Sequence, residues 1–219
     1  SSFLLSNDKG SILVECGSGV VSKLIDTIDI DKLKAIFISH LHFDHFNDIF
    51  TLYYLYKVEH NIRGLDRVNV YLPKTPSKTL EFIVDNLSDV FDFNYIDETT
   101  TLTLLDNVII TFCKTKHDIE TYGMRIEDDK VTLGYTADTE YIEDLISFFK
   151  GVDLLIAEST LINDLPENKN HMTSYEAVKM AIEVGAEAVL LTHFWYTIPI
   201  SDYMLEVEEF KDKILIGWV

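Results

Sequence analysis

Three histidines and an aspartate fall within six residues, His40-Leu41-His42-Phe43-Asp44-His45. They follow directly on 34–39 (KAIFIS), whose apolar, β-branched content reads as a buried strand. Few folds can accommodate such a segment. Its flanks are apolar on both sides, so it is no solvated face, and it carries too many imidazoles and a carboxylate for a core. A strand end on a rigid scaffold can instead present these side chains to a common ligand. Imidazole with carboxylate is the donor set of Zn²⁺, Mn²⁺ or Fe²⁺. Six consecutive positions cannot all reach one ion. Alternate residues His40 and His42 can converge on one metal, which leaves Asp44 and His45 for a second. Two metals require further ligands downstream.

Three candidates stand in similar settings. His117 follows the apolar strand pattern of 107–114, Asp138 follows that of 130–136, and His193 follows that of 188–192. Taken singly, each has an ordinary reading, such as a hydrogen-bonded loop histidine or a helix N-cap aspartate. Together with the cluster they complete a ligand set.

The rest of the pattern places these residues. Strands are expected at 3–5, 11–16, 34–39, 67–72, 93–96, 101–105, 107–114, 154–157, 188–192 and 214–219. A hairpin is expected from 122–127 and 130–136. Helices are expected at 20–27, 48–58, 77–87, 140–149, 173–184 and 202–211. Residues 48–58 also fit an aromatic strand through Tyr53, Tyr54 and Tyr56. The early part is strand-rich, and the last eighty residues alternate helix and strand. That order suits two sheets packed face to face with helices outside, four layers in all. The 219 residues suffice for a single domain, 1–219, with a sizeable core.

His-x-His-x-Asp-His, then His117, Asp138 and His193, each at a strand end, resembles the metallo-β-lactamase superfamily. The resemblance runs from 12–17 (ILVECG), similar to that family's apolar strand ending in Asp-x-Gly, to His193. It implies an α/β fold, the four-layer αββα sandwich of two mixed β-sheets. It implies two divalent ions, zinc first, with manganese or iron as alternatives. His40, His42 and His117 would hold one ion, Asp44, His45 and His193 the other, and Asp138 would bridge them.

Two further segments resemble the phosphodiesterase branch that includes ribonuclease Z. Ala157-Glu158-Ser159-Thr160 is similar to its His-Glu-Ala-Thr motif, and His171-Met172-Thr173 to its His-Ser-Thr motif. This chain has Ala157 in place of the first motif's His and Met172 in place of the second motif's Ser. The stretch from His117 to Ile126 (HDIETYGMRI) matches the same branch. The resemblance implies that His171 contacts a scissile phosphate and that Glu158 orients His171. A hydroxide shared by the metals and oriented by Asp44 and Asp138 would then attack phosphorus in line. The local alternative is a capping box, Thr173 with Glu176, that leaves His171 merely ahead of a helix.

Charge narrows the substrate. Lys and Arg total 18 against 37 Asp and Glu, a net −19. Such a surface repels polyanions. Asp138 lies only twenty-one positions after His117, an interval in which ribonuclease Z carries a tRNA-binding arm. The expected partner is therefore a small or cyclic phosphodiester, with no long nucleic acid and no membrane. The branch implies a possible homodimer. Lactonases and thioester hydrolases share the seven ligands, and Tyr141, three residues after Asp138, matches a tyrosine of acyl-homoserine lactonases. A non-catalytic metal-binding scaffold subunit is the remaining alternative. The segment 161–170 is a candidate lid, and Phe194, Trp195 and Tyr196 are candidates to stack on a nucleobase. Cys16 and Cys113 read as two buried reduced thiols, and His60 as exposed. No basic-then-apolar leader opens the chain and no apolar run reaches ~18 residues, so a cytoplasmic location is expected.

Overall fold

The computed structural model describes residues 2–163 and 170–218. The chain divides into two compact units, Ser1–Ile96 and Asp97–Val219.

In the first unit, β1 (Phe3–Asn7) and β2 (Gly10–Val14) form an antiparallel hairpin. β3 (Leu33–Phe37), β4 (Val68–Pro73) and β5 (Phe91–Ile96) then add in parallel, in the order β1-β2-β3-β4-β5. The connecting helices are α1 (Val20–Thr27), α2 (Phe43–Phe46), α3 (Ile49–Arg63) and α4 (Lys78–Leu87). The ambiguity at 48–58 resolves as helix. Ile49, Leu52, Tyr53 and Tyr56 recur at helical spacing and are buried. α3 runs on to Arg63, where Gly64 adopts the left-handed conformation that ends it. His60 lies near that end and is half-buried rather than exposed, with its ring hydrogen-bonded to the Leu65 carbonyl.

The second unit holds β6 (Thr101–Leu104), β7 (Val108–Lys114), β8 (Tyr122–Glu127), β9 (Thr132–Tyr135), β10 (Leu154–Glu158), β11 (Ala188–Thr192) and β12 (Leu215–Trp218). Their order is β12-β11-β10-β9-β8-β7-β6, antiparallel from β6 to β9 and parallel from β9 to β12. Three helices complete it, α5 (Glu143–Phe148), α6 (Ser174–Val184) and α7 (Ile200–Val207). α6 buries Ala177, Val178, Ala181 and Val184 in one stripe. The expected capping box is present, with Thr173 and Glu176 each accepting from the other's backbone N–H. α5 starts later than the expected 140, because Ile142 is extended; the Glu140 N–H bonds to the Lys116 carbonyl at 2.9 Å. α7 starts earlier than the expected 202 and gives way to a 3₁₀ turn at Glu208–Phe210.

Both sheets are mixed, with helices between the parallel strands. Parallel strands in register bring their carboxyl ends to one edge. There the chain leaves the sheet at 136–138, 158–160 and 192–193 in the second unit, and at 15 and 38–40 in the first. Ligand sites of parallel sheets lie at such an edge. Cys16 is buried, whereas Cys113 on β7 is half-buried, because its side chain leaves the core face of its strand. No helix among the described residues is long and apolar enough to cross a membrane.

Candidate metal centre

Among the described residues five outside glycine adopt positive φ: Leu105 and Asp106 in the turn between β6 and β7, and Glu15 (62°), Ala137 (52°) and His193 (62°) one or two residues past β2, β9 and β11. Left-handed backbone is costly for such residues and gathers at functional positions. Glu15 ends β2 two residues short of the expected 16, and its carboxylate turns back to accept the Ser39 N–H at 3.2 and 3.3 Å. Glu15 is fully buried and lies 3.5 Å from Nδ1 of His45, also fully buried.

The histidine cluster begins as expected and ends differently. β3 stops at Phe37, and the Ile38 N–H bonds to the Tyr71 carbonyl at 2.9 Å. His40 is buried, with Nδ1 2.8 Å from the Ser39 hydroxyl and Nε2 3.0 Å from Nδ1 of His42. Asp44 and His45 sit in a helical turn, α2, rather than a loop. The two pairs are not separated by that turn: the buried His45 packs against the His40 ring at 4.1 Å, and its Nε2 lies 3.4 Å from the exposed Asp44 carboxylate. Backbone bonds pin α2 to 15–21. The Cys16 N–H donates to the His45 carbonyl at 2.7 Å, and the Asp48 N–H to the Cys16 carbonyl at 2.9 Å. The Asp48 side chain accepts the Val21 N–H at the start of α1. Gly17 passes so close that a Cβ there would lie 2.0 Å from the Asp44 carbonyl oxygen. Gly17→Ala is expected to displace α2 and lower stability by about 1–3 kcal/mol or more, as overpacking against backbone does. Denaturant titration measures the loss, and an unchanged midpoint would contradict it.

In the second unit, His117, Asp138, Glu158, His171 and His193 are brought together. The His117 side chain is buried, and its Nδ1–H donates to the Asn170 carbonyl at 2.9 Å. In the neutral ring this leaves the lone pair on Nε2, which lies 3.1 Å from Asp118 and 3.9 Å from Asp138. Thr160, whose role the sequence does not announce, fixes His193. Its single hydroxyl hydrogen goes to the Glu158 carboxylate at 2.8 Å, the charge-assisted choice. The hydroxyl oxygen then accepts from Nδ1 of His193 at 2.7 Å. Nε2 of His193 is turned to Asp138 at 3.3 Å.

Imidazole nitrogens turned onto a buried carboxylate call for a cation between them, a proton or a metal ion. A tetrahedral Zn²⁺ with bonds of about 2.0–2.1 Å holds its donor atoms about 3.3 Å apart. Asp138 lies 3.9 Å from Nε2 of His117 and 3.3 Å from Nε2 of His193, close to that spacing. Ligating histidines also donate their second nitrogen to a carbonyl or other acceptor, as His117 and His193 do. The donor set fits a divalent metal. Thr160→Val is expected to free the His193 ring and cost about 10–100-fold in metal affinity or activity. Retention of both in a folded variant would contradict this role.

Glu158 is buried. It accepts from the Thr139 N–H at 3.0 Å, the Thr160 N–H at 3.0 Å and Nδ1 of His171 at 2.9 Å. Burial works against charge on His171, but the hydrogen bond to Glu158, with the charges of Glu158, Asp138 and Asp118, outweighs it and raises its pKa. A raised value stabilises the fold fully below about pH 6.5, the unfolded value, and the contribution is lost as pH rises through the folded value. Metal-free protein should therefore lose thermal stability on alkalinisation through that window. His171→Gln should flatten the profile, and an equally steep profile would refute the assignment.

Tyr141 does not lie on a helix. Its hydroxyl pairs with Glu183 of α6, and Lys179 sits over its ring at 4.9 Å. Burial first, then the Glu183 hydrogen bond, raise its pKa. Phe194 packs inward on Tyr203 and Trp218, whereas Trp195 and Tyr196 are exposed. The polar stretch 164–169 of the candidate lid lies outside the described residues.

Fold and donor set define a metallo-hydrolase architecture, and the chain belongs to the beta-lactamase superfamily, whose domain model matches residues 11–194. It is 34% identical over 207 residues to the probable metallo-hydrolase YhfI of Bacillus subtilis, covering 88% of this chain and 79% of that protein. The crystal structure of the metallo-beta-lactamase fold protein YhfI superposes with a TM-score of 0.89 at 30% identity, over 100% of this chain and 88% of that one. Ribonuclease Z 2, mitochondrial, of Schizosaccharomyces pombe is 30% identical over 211 residues, 89% of this chain but only 31% of that protein. A diphosphatase from the PhnP family shares the fold at a TM-score of 0.76 and 19% identity, over 100% of this chain and 80% of that one.

Proposed function

We propose that this protein is a metal-dependent phosphodiesterase acting on a small or cyclic phosphodiester. The observation that carries the reading is the His171–Glu158 pair, 2.9 Å apart, with the same His171 nitrogen 3.9 Å from Asp138. A histidine donor beside the ligands suits a phosphoryl group, which presents several oxygens carrying negative charge, more than the single oxyanion of an ester or lactone.

The ligand assignment follows the family pattern: His40, His42 and His117 for one ion, Asp44, His45 and His193 for another, and Asp138 shared. Zinc, manganese and iron all accept these donors. The ions, when bound, lower the pKa of water and polarise the phosphoryl group. The chain's own residues do the rest. Glu158 accepts the Nδ1–H of His171 and favours the charged ring, and a protonated ring has its Nε2–H left to donate to a phosphoryl oxygen. Thr139 and Thr160 hold the Glu158 carboxylate in place. Asp44 and Asp138 orient the attacking oxygen. A net charge of −19 favours a small substrate over a long polyanion.

The lactonase alternative loses its one specific support, because the Tyr141 hydroxyl is engaged by Glu183. The test is a parallel assay of metal-loaded protein on bis(p-nitrophenyl) phosphate, an acyl-homoserine lactone and an acyl thioester. Preference for the phosphodiester supports the reading. Preference for either acyl substrate overturns it.

A further inference from the structure

Beyond the phosphoryl site, we infer that Trp195 and Tyr196 form a platform on which the base of a nucleotide substrate stacks. The inference rests on the phosphodiesterase reading for its substrate and deepens it to a nucleobase-bearing phosphodiester.

The two rings stack on each other, with centroids 5.9 Å apart and planes 22° from parallel. Trp195 is 48% exposed and Tyr196 90%. Large rings left in water in this way are costly unless something covers them. Their attachment ties them to the site. His193, in its left-handed conformation, turns the chain out of β11. Phe194 then goes into the core against Tyr203, at 4.8 Å, and the next two rings go outward. The Trp195 N–H donates to the hydroxyl of Tyr203, a fully buried residue, at 3.0 Å. That hydroxyl donates to the Thr160 carbonyl at 2.8 Å. Thr160 is the residue that orients His193 and Glu158. A turn closed by the Ile198 N–H on the Trp195 carbonyl, at 3.0 Å, stiffens the other side.

A stiff aromatic pair two residues beyond a candidate metal ligand suits a flat apolar group joined to the reacting phosphate. A nucleobase has that shape, and every base offers a π-face. A sugar phosphate lacks one. The platform thus selects nucleotide diesters over sugar diesters, and does so without positive charge on an acidic protein.

The test is calorimetric titration of the metal-loaded protein with adenosine 5′-monophosphate and with ribose 5-phosphate. The nucleotide should bind about 5- to 100-fold more tightly, the span of one stacked base. Trp195→Ala and Tyr196→Ala should erase the difference, and Trp195→Phe should restore most of it. In turnover, the same alanine variants should raise KM for the p-nitrophenyl ester of thymidine 5′-monophosphate toward that for methyl p-nitrophenyl phosphate. Equal binding of the two monophosphates by the wild type overturns the platform, and leaves the phosphodiesterase reading intact if methyl p-nitrophenyl phosphate is still cleaved. Base-dependent binding that the variants lose, with neither diester cleaved, upholds the platform and removes the hydrolytic reading. A Trp195→Ala variant that shifts from dimer to monomer with base discrimination retained overturns the platform in favour of a second copy covering the rings.

Discussion

Asp138→Asn is expected to strip the protein of tightly bound metal and to lower phosphodiester turnover to the level of metal-free wild type. The substitution keeps the side-chain volume and leaves the backbone tied, since the Asp138 carbonyl still accepts the Thr115 hydroxyl at 2.8 Å. What it removes is the carboxylate onto which the Nε2 atoms of His117 and His193 are turned, at 3.9 and 3.3 Å. The neutral amide is a far weaker ligand than an ionised carboxylate, which is the usual oxygen donor in such sites. Metal that binds the folded state alone raises its stability by mass action. Added metal should therefore raise the melting temperature of the wild type and not that of the variant. Elemental analysis after dialysis checks the metal content. A variant that keeps full metal and activity would mean that Asp138 is not a ligand.

His171→Ala is expected to behave differently: metal content retained, and kcat on bis(p-nitrophenyl) phosphate reduced about 10²–10³-fold. That is the loss that accompanies removal of one preorganised donor to transition-state charge. The distinction comes from proton placement. Nδ1 of His171 is committed to Glu158 at 2.9 Å, so that nitrogen is held as a donor to the carboxylate rather than turned as a lone-pair ligand. A fall in metal content in His171→Ala would reassign the residue to the ligand set. An unchanged kcat would remove it from the chemistry.

The candidate ligands are legible as strand-end residues because each follows a short apolar, β-branched run, a local signal. The start of α5 is not legible, because it is set by the extended backbone of Ile142, which no residue pattern at 140–142 announces. The helical turn at Phe43–Phe46 was not legible, because its pins are the backbone groups of Cys16 and Asp48 and the absence of a side chain at Gly17. Glu15 and Thr160 were missed for a related reason. One was read only as part of a strand and the other only as the end of a motif. Their roles appear only when the Ser39 N–H, the Glu158 carboxylate and the His193 ring are placed in space. The platform pair was visible as aromatics, but no pattern separated the inward Phe194 from the outward Trp195 and Tyr196. That division depends on the left-handed backbone of His193 and on the buried Tyr203 hydroxyl.

The most direct measurement of the central claim is hydrolysis of bis(p-nitrophenyl) phosphate by protein stripped with a chelator and reloaded with Zn²⁺ or Mn²⁺, with occupancy counted in the same samples. The account predicts no turnover in the stripped protein and turnover that rises with metal bound. Full occupancy without phosphodiester hydrolysis would contradict it.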